Sequence, residues 1–200
     1  MMKPVRNYLE KSFSEFKYIP LSSVFQQKHL VPKIISNKAR KVLVTQGGSD
    51  TYGFTPKIIR ALYSLPSEIN IDVIIGPNFC HNEELNQALS KAPREFDIIR
   101  GRYKLWDLML EADLAISAGG NTLFELACLG IPAIIICGEF FEVGTANRLQ
   151  RHGFGKNLGF GKDVREEDIC DAVNQIIYDK KLRLQMSKQG KIVIDGCGTK

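Results

Sequence analysis

The sequence predicts an α/β fold built on a doubly wound parallel sheet, and three observations carry that prediction. From Lys41 onward, short apolar runs alternate with helix-patterned stretches at steady intervals, as βαβ units require. The runs are nearly unbroken in apolar character, which suits strands covered by helices on both faces. Glycine-rich turns follow two of the runs at their carboxyl ends, where open α/β sheets bind ligands.

Residues 1–37 lack a clean period. Pro20 and Pro32 each break helix where they stand, because proline has no amide donor and restricts the residue before it. This stretch reads as a linker or packed-on arm, with the domain itself over 38–200. The predicted strands are Lys41–Thr45, Ile71–Ile75, Phe96–Arg100, Leu114–Ser117 and Ala133–Cys137. After the first strand, Thr55 is placed to cap a helix that has Pro56 at its first position and Ile58, Ile59 and Leu62 on one face. Asn82–Ser90 and Leu105–Ala112 supply the next two helices. Asn121 caps a fourth, which runs to the stop at Gly130-Ile131-Pro132. Thr145–His152 is a fifth; Arg165–Tyr178 and Leu182–Gly190 close the chain, the last capped by Asp179. Gly153-Phe154-Gly155-Lys156 and Gly159-Phe160-Gly161-Lys162 form a small repeat, read as a loop or short hairpin because it follows a helix.

Composition excludes several classes of function. The chain has 200 residues, 44% hydrophobic and 24% charged, enough to bury roughly two-thirds of its unfolded surface without disulfide or metal staples. Its longest apolar run, Ile131–Cys137, is far below the about 20 residues of a membrane span, so a cytoplasmic location is expected. The five scattered cysteines form no CxxC pair and read as reduced packing residues. His29, His81 and His152 have no partners at ligand spacing, so neither a metal nor a cofactor is expected, and His81 reads as a surface residue. The net charge of +5 is concentrated at the start: nine Lys/Arg oppose two Asp/Glu up to Lys41, and eighteen oppose twenty beyond it. The domain is therefore not basic, and nucleic acid is not an expected partner.

The candidate site lies in two loops. One is Gly47-Gly48-Ser49-Asp50 after the first strand; the other is Ser117-Ala118-Gly119-Gly120-Asn121-Thr122 after the fourth. In a doubly wound sheet these strands lie side by side at the reversal of strand order, so both loops face one crevice. Paired glycines let the backbone approach a ligand, and a helix start offers unpaired amides with partial positive charge, which together favour a phosphate. Neither GxxxxGK[ST] nor GxGxxG is present, which disfavours P-loop and dinucleotide folds. Glu125, one turn into the following helix, can serve the helix dipole or accept two hydrogen bonds from a ribose diol.

The run from Ala112-Asp113 through Ser117–Thr122 and Glu125 to Gly130-Ile131-Pro132 resembles the nucleotide-sugar signature in the carboxy-terminal half of GT-B glycosyltransferases of the MurG type. It resembles more closely the UDP-sugar hydrolases of pseudaminic acid biosynthesis and their spore-coat polysaccharide relatives. Tyr18–Leu21 with Phe25, Val42–Asp50, and Ile194-Asp195-Gly196 extend the likeness over nearly the whole chain. The resemblance implies the carboxy-terminal half of a GT-B architecture. Glu125 would hold the ribose hydroxyls, and Gly119, Gly120, Asn121 and Thr122 the diphosphate. Gly47, Gly48 and Ser49 would approach the phosphates or sugar from the neighbouring loop, and Ile99 or Arg100 would meet the uracil through the backbone. Relatives carry Asn-Gln or His-Gln where this chain has Phe141-Glu142, and a glutamate beside a diphosphate is repelled unless turned away.

The same resemblance implies an amino-terminal half, or a partner subunit, that supplies the histidine base; the catalytic residue itself is not identified in this chain. The expected function is the UDP-sugar-binding half of a hydrolase in surface polysaccharide or nonulosonic acid biosynthesis. The alternatives are the donor-binding domain of a glycosyltransferase and a non-catalytic binding subunit. An apolar face where the other half docks could also drive self-association.

Overall fold

The computed structural model describes residues 16, 18–101 and 104–198. In chain order the elements are α1 (Ser23–His29), β1 (Lys41–Thr45), α2 (Phe54–Ala61), β2 (Asn70–Ile75), α3 (Asn82–Ser90), β3 (Asp97–Arg100) and α4 (Leu105–Glu111). There follow β4 (Leu114–Ser117), α5 (Asn121–Leu129), β5 (Ala133–Cys137), α6 (Glu142–Arg151), β6 (Lys156–Phe160), α7 (Glu166–Tyr178) and α8 (Lys180–Val193). All six strands are parallel, in the order β3-β2-β1-β4-β5-β6. The sheet is the expected doubly wound, Rossmann-like one, and β1 and β4 are neighbours at its reversal point, with Thr45 opposite Ser117.

Strand side chains point alternately to the two faces, so each apolar run feeds two cores. Val42, Val44, Ile134 and Ile136 pack with α2, α3 and α7. Leu43, Ala115, Ile135 and Cys137 pack with α4, α5 and α6. Leu21 and Phe25, from the segment before β1, are buried in the second core. The tail closes over the same region: a Cβ on Gly198 would lie 2.2 Å from the Ile19 carbonyl oxygen, and one on Gly196 would lie 3.0 Å from Cys128 Sγ. The three segments that extended the family likeness are thus partly brought together.

The structure corrects several readings. The glycine repeat is not a loop or hairpin, because Lys156–Phe160 is a sixth strand beside β5, with a register irregularity between Ile135 and Ile136. Lys-Asn-Leu-Gly-Phe contains no apolar run, so nothing local marks it; the open edge of β5 recruits it. Thr55 does not cap α2. The cap is the Asp50 carboxylate, whose Oδ1 and Oδ2 accept the Phe54 and Thr55 amides at 2.8 Å each. Asn121 is the first residue inside α5, with Gly120 ahead of it and no side-chain cap. The fifth predicted helix begins at Glu142 rather than Thr145. Asp179 does cap α8, accepting the Leu182 amide at 2.8 Å. All five cysteines are free, but Cys80 is exposed and does not pack as expected.

Candidate functional site

Because β1 and β4 are adjacent, their following loops meet at the carboxyl edge of the sheet. They border two cavities that share Gly47, Gly48 and Thr122. The first, about 200 Å³, is mainly apolar, with Ile74, Ile75, Pro77 and Leu105 in its wall and Gly101 at its end. The second, about 320 Å³, is the more polar of the two and adds Gln46, Ser49, Gly120, Asn121, Glu139 and Glu142. Among the described residues, neither wall contains a lysine or arginine. Partial charge there comes from peptide groups and from the start of α5.

The β1 loop is held from below and behind. A Cβ on Gly76 would fall 2.3 Å from the Gly48 carbonyl oxygen and 2.4 Å from that of Gly47, so only glycine lets the end of β2 pass beneath the loop. The Asn78 amide donates to the Gly48 carbonyl at 2.9 Å. Asp50, buried with φ +45°, ties the far end of the loop to α2. His81 is at the surface, partly covered by the β1 loop. Its ring covers Gly53, where a Cβ would meet Cγ at 2.8 Å, and its Nε2 lies 3.3 Å from the Thr51 carbonyl oxygen.

The expected site residues are brought together unevenly. Gly47, Gly48, Ser49, Gly120, Asn121 and Thr122 line the cavities. Glu125 lines neither cavity; it is half-buried one turn further along α5, and burial pushes its carboxyl up to about 7. Ile99 packs against the second core at the end of edge strand β3. Arg100 is exposed, donates to Asn82 Oδ1 at 2.9 Å, and leads into Gly101 at the apolar cavity.

Gly119 differs from expectation, and Glu142 explains why. Glu142 is not turned away: its Oε2 accepts amides from Gly138 at 2.8 Å, Gly119 at 3.1 Å and Glu139 at 3.2 Å. The Gly119 amide is therefore committed within the chain, and a Cβ at Gly119 would lie 2.7 Å from Glu142 Cβ. The turn after β5 gathers amides into an anion-binding concavity, which an acidic residue starting α6 fills. Gln46, buried in the polar wall, was missed altogether. Among the described residues no group of three or more His, Cys, Asp or Glu could hold a metal ion, and no helix is long and apolar enough to cross a membrane.

Residues 28–192 match the glycosyltransferase family 28 C-terminal domain. The chain belongs to that family. This family 28 domain is 29% identical over 166 residues to the spore coat polysaccharide biosynthesis protein SpsG of Bacillus subtilis, covering 82% of the chain and 49% of SpsG. It thus spans about half the length of that relative. Among solved structures it resembles Acinetobacter baumannii MurG, with TM-score 0.61 and 18% identity over 84% of this chain and 48% of that one. It also resembles Anabaena Alr3699/HepE, solved with UDP and glucose, with TM-score 0.59 and 16% identity over 90% of this chain and 48% of that one. At these identities the structural likeness establishes the fold that the family 28 domain shares with GT-B glycosyltransferases.

Proposed function

We propose that this chain is the donor-binding domain of a glycosyltransferase-like enzyme and holds a UDP-sugar at the carboxyl edge of β1 and β4. The observation that carries this reading is the convergence of two glycine loops and the start of α5 on adjoining apolar and polar cavities. The apolar cavity suits a base reached from the end of β3, and the amides of Gly48 and Thr122, at the border of both cavities, suit a diphosphate. The polar cavity suits a sugar. Glu125 takes the ribose diol. The site grips the nucleotide, stabilises charge developing on the diphosphate leaving group and holds the anomeric carbon toward a second half.

That second half supplies the base and holds the acceptor whose hydroxyl attacks the anomeric carbon as UDP leaves. An acceptor hydroxyl fits family membership better than water, so transfer is favoured over the hydrolysis expected first from the sequence. Phe140 and Phe141, 76% and 80% exposed beside Glu142, offer apolar surface to the docking half.

Calorimetry with UDP, GDP, CDP and dTDP tests the grip, and measurable binding that favours a pyrimidine diphosphate is expected. The purified 200-residue chain should not turn over a UDP-sugar, because this reading assigns the base to the second half. Steady release of UDP by the chain alone would reject the division of labour.

A further inference from the structure

Gln46 lines the polar cavity and has no part in the reading above. It follows the last residue of β1, is 6% exposed, and has no hydrogen-bond partner for either Nε2 or Oε1 among the described residues. Among the described residues, the Nε of Arg94 and of Arg183 also have no partner, but these belong to guanidinium groups that hydrogen-bond through their other nitrogens. A buried amide with both ends unpaired is costly and calls for a partner.

The chemistry of that partner is constrained. Nε2 needs an acceptor and Oε1 needs a donor. A diphosphate offers acceptors alone and would satisfy one end; sugar hydroxyls, or a hydroxyl beside an acylamino group, satisfy both. The neighbouring acidic groups make the same demand. Glu142 Oε2 is occupied by three backbone amides, and Oε1 is left near the Gly120 backbone, 3.2 Å from where a Cβ there would stand. Glu139 lines the same cavity. The wall therefore rewards O–H and N–H donors, and a sugar carboxylate would bring a like charge with no donor.

We propose that Gln46 is a specificity-determining residue that reads a hydroxyl pair, or a hydroxyl and an acylamino group, on a neutral sugar, while Glu142 turns away acidic sugars. This rests on the nucleotide-sugar reading above.

The test is calorimetry on the full chain with UDP, UDP-glucose, UDP-galactose, UDP-N-acetylglucosamine and UDP-glucuronic acid, together with melting of the ligand-free proteins. At least one neutral UDP-sugar should bind more tightly than UDP, and UDP-glucuronic acid about tenfold or more weaker than that sugar. Gln46→Leu should weaken the preferred UDP-sugar about tenfold while UDP loses far less. Its ligand-free melting temperature should not fall, since an apolar side chain replaces an unpaired amide of similar size. Glu142→Gln, which keeps an acceptor for the three amides, should narrow the gap against UDP-glucuronic acid. Equal loss for UDP and UDP-sugar in Gln46→Leu, a lowered melting temperature in both Gln46→Leu and Gln46→Met, or no neutral sugar outbinding UDP would each overturn the role of Gln46. An unchanged gap in Glu142→Gln would overturn the charge filter. Failure of UDP itself to bind would instead remove the nucleotide reading, and this inference with it.

Discussion

Arg183→Ala is expected to lower the unfolding free energy by about 3 to 5 kcal/mol, the largest stability loss among single substitutions discussed for this fold. Arg183 is fully buried in α8. Its Nη1 donates to the Ile176 and Ile177 carbonyls at 2.7 and 2.5 Å, and its Nη2 to those of Ser36 and Asn37 at 2.8 and 3.2 Å. Ile176 and Ile177 lie in the last turn of α7, whose carbonyls have no intrahelical partners, and a cation there also complements the helix dipole. One guanidinium thus joins α7, α8 and the segment entering β1. Alanine would remove the guanidinium from four carbonyls, of which those of Ile176 and Ile177 keep the Asp179 and Ala39 amides as donors, and would leave a cavity. Lysine would keep the charge but lacks the planar fork, so it should recover less than half of the loss. Urea unfolding monitored by circular dichroism reads both variants; a midpoint for Arg183→Ala that translates to under about 1 kcal/mol would refute the account.

Glu125→Ala should weaken UDP binding by about 1.5 to 3 kcal/mol, the scale of hydrogen bonds to a charged group. If Glu125 accepts the ribose diol, 2′-deoxyuridine diphosphate should bind the parent chain more weakly than UDP, and the variant should discriminate less between them. Unchanged affinity for both ligands would remove Glu125 from the site.

The pH dependence of that binding follows from burial, which pushes the Glu125 carboxyl from its ordinary 4.5 to about 7. Two O–H donors favour the carboxylate, so UDP binding releases a proton. Affinity should rise as pH climbs toward about 7 and level off above it, and the slope should shrink in Glu125→Gln to the part due to the terminal phosphate of UDP, which ionises at about pH 6. The ligand-free protein should behave in the opposite sense. Between 4.5 and about 7 the folded state holds the proton that the unfolded state has lost, so stability falls with rising pH across that window. The full shift would correspond to about 3 kcal/mol, and screening at a half-buried site reduces this to about 1 to 2 kcal/mol above pH 7. Thermal melts of Glu125→Gln at pH 5 and pH 8 measure it, with the gain over the parent chain confined to the higher pH.

Five strands were legible because buried parallel strands advertise themselves as apolar runs, and the pairing of β1 with β4 followed from the rule for doubly wound sheets. β6 was not legible, since Lys156–Phe160 is half-buried and polar and becomes a strand only by joining β5. The two glycine loops announced the cavities, but the side chains that shape them were hidden by their type. Asp50 beside Ser49 reads as an ordinary turn residue, although it caps α2 from four and five residues away. Glu142 reads as a charge to be kept from phosphate until the fold shows amides from two loops converging on it. Gln46 and Arg183 are polar types usually found in solvent, and burial of either is a property of the assembled sheet and helices alone.

The meeting of Gly76 with the Gly47 and Gly48 carbonyls builds part of the apolar cavity from main chain pressed on main chain. A surface of that kind gives mutation little to remodel, because substituting its glycines breaks the fit and substituting their neighbours leaves the peptide groups where they were. Change is channelled to the opposite end, where Gln46, Glu139 and Glu142 contribute side chains. On the proposed reading, descendants of this chain can exchange one carbohydrate for another by altering a few side chains while inheriting the nucleotide grip intact.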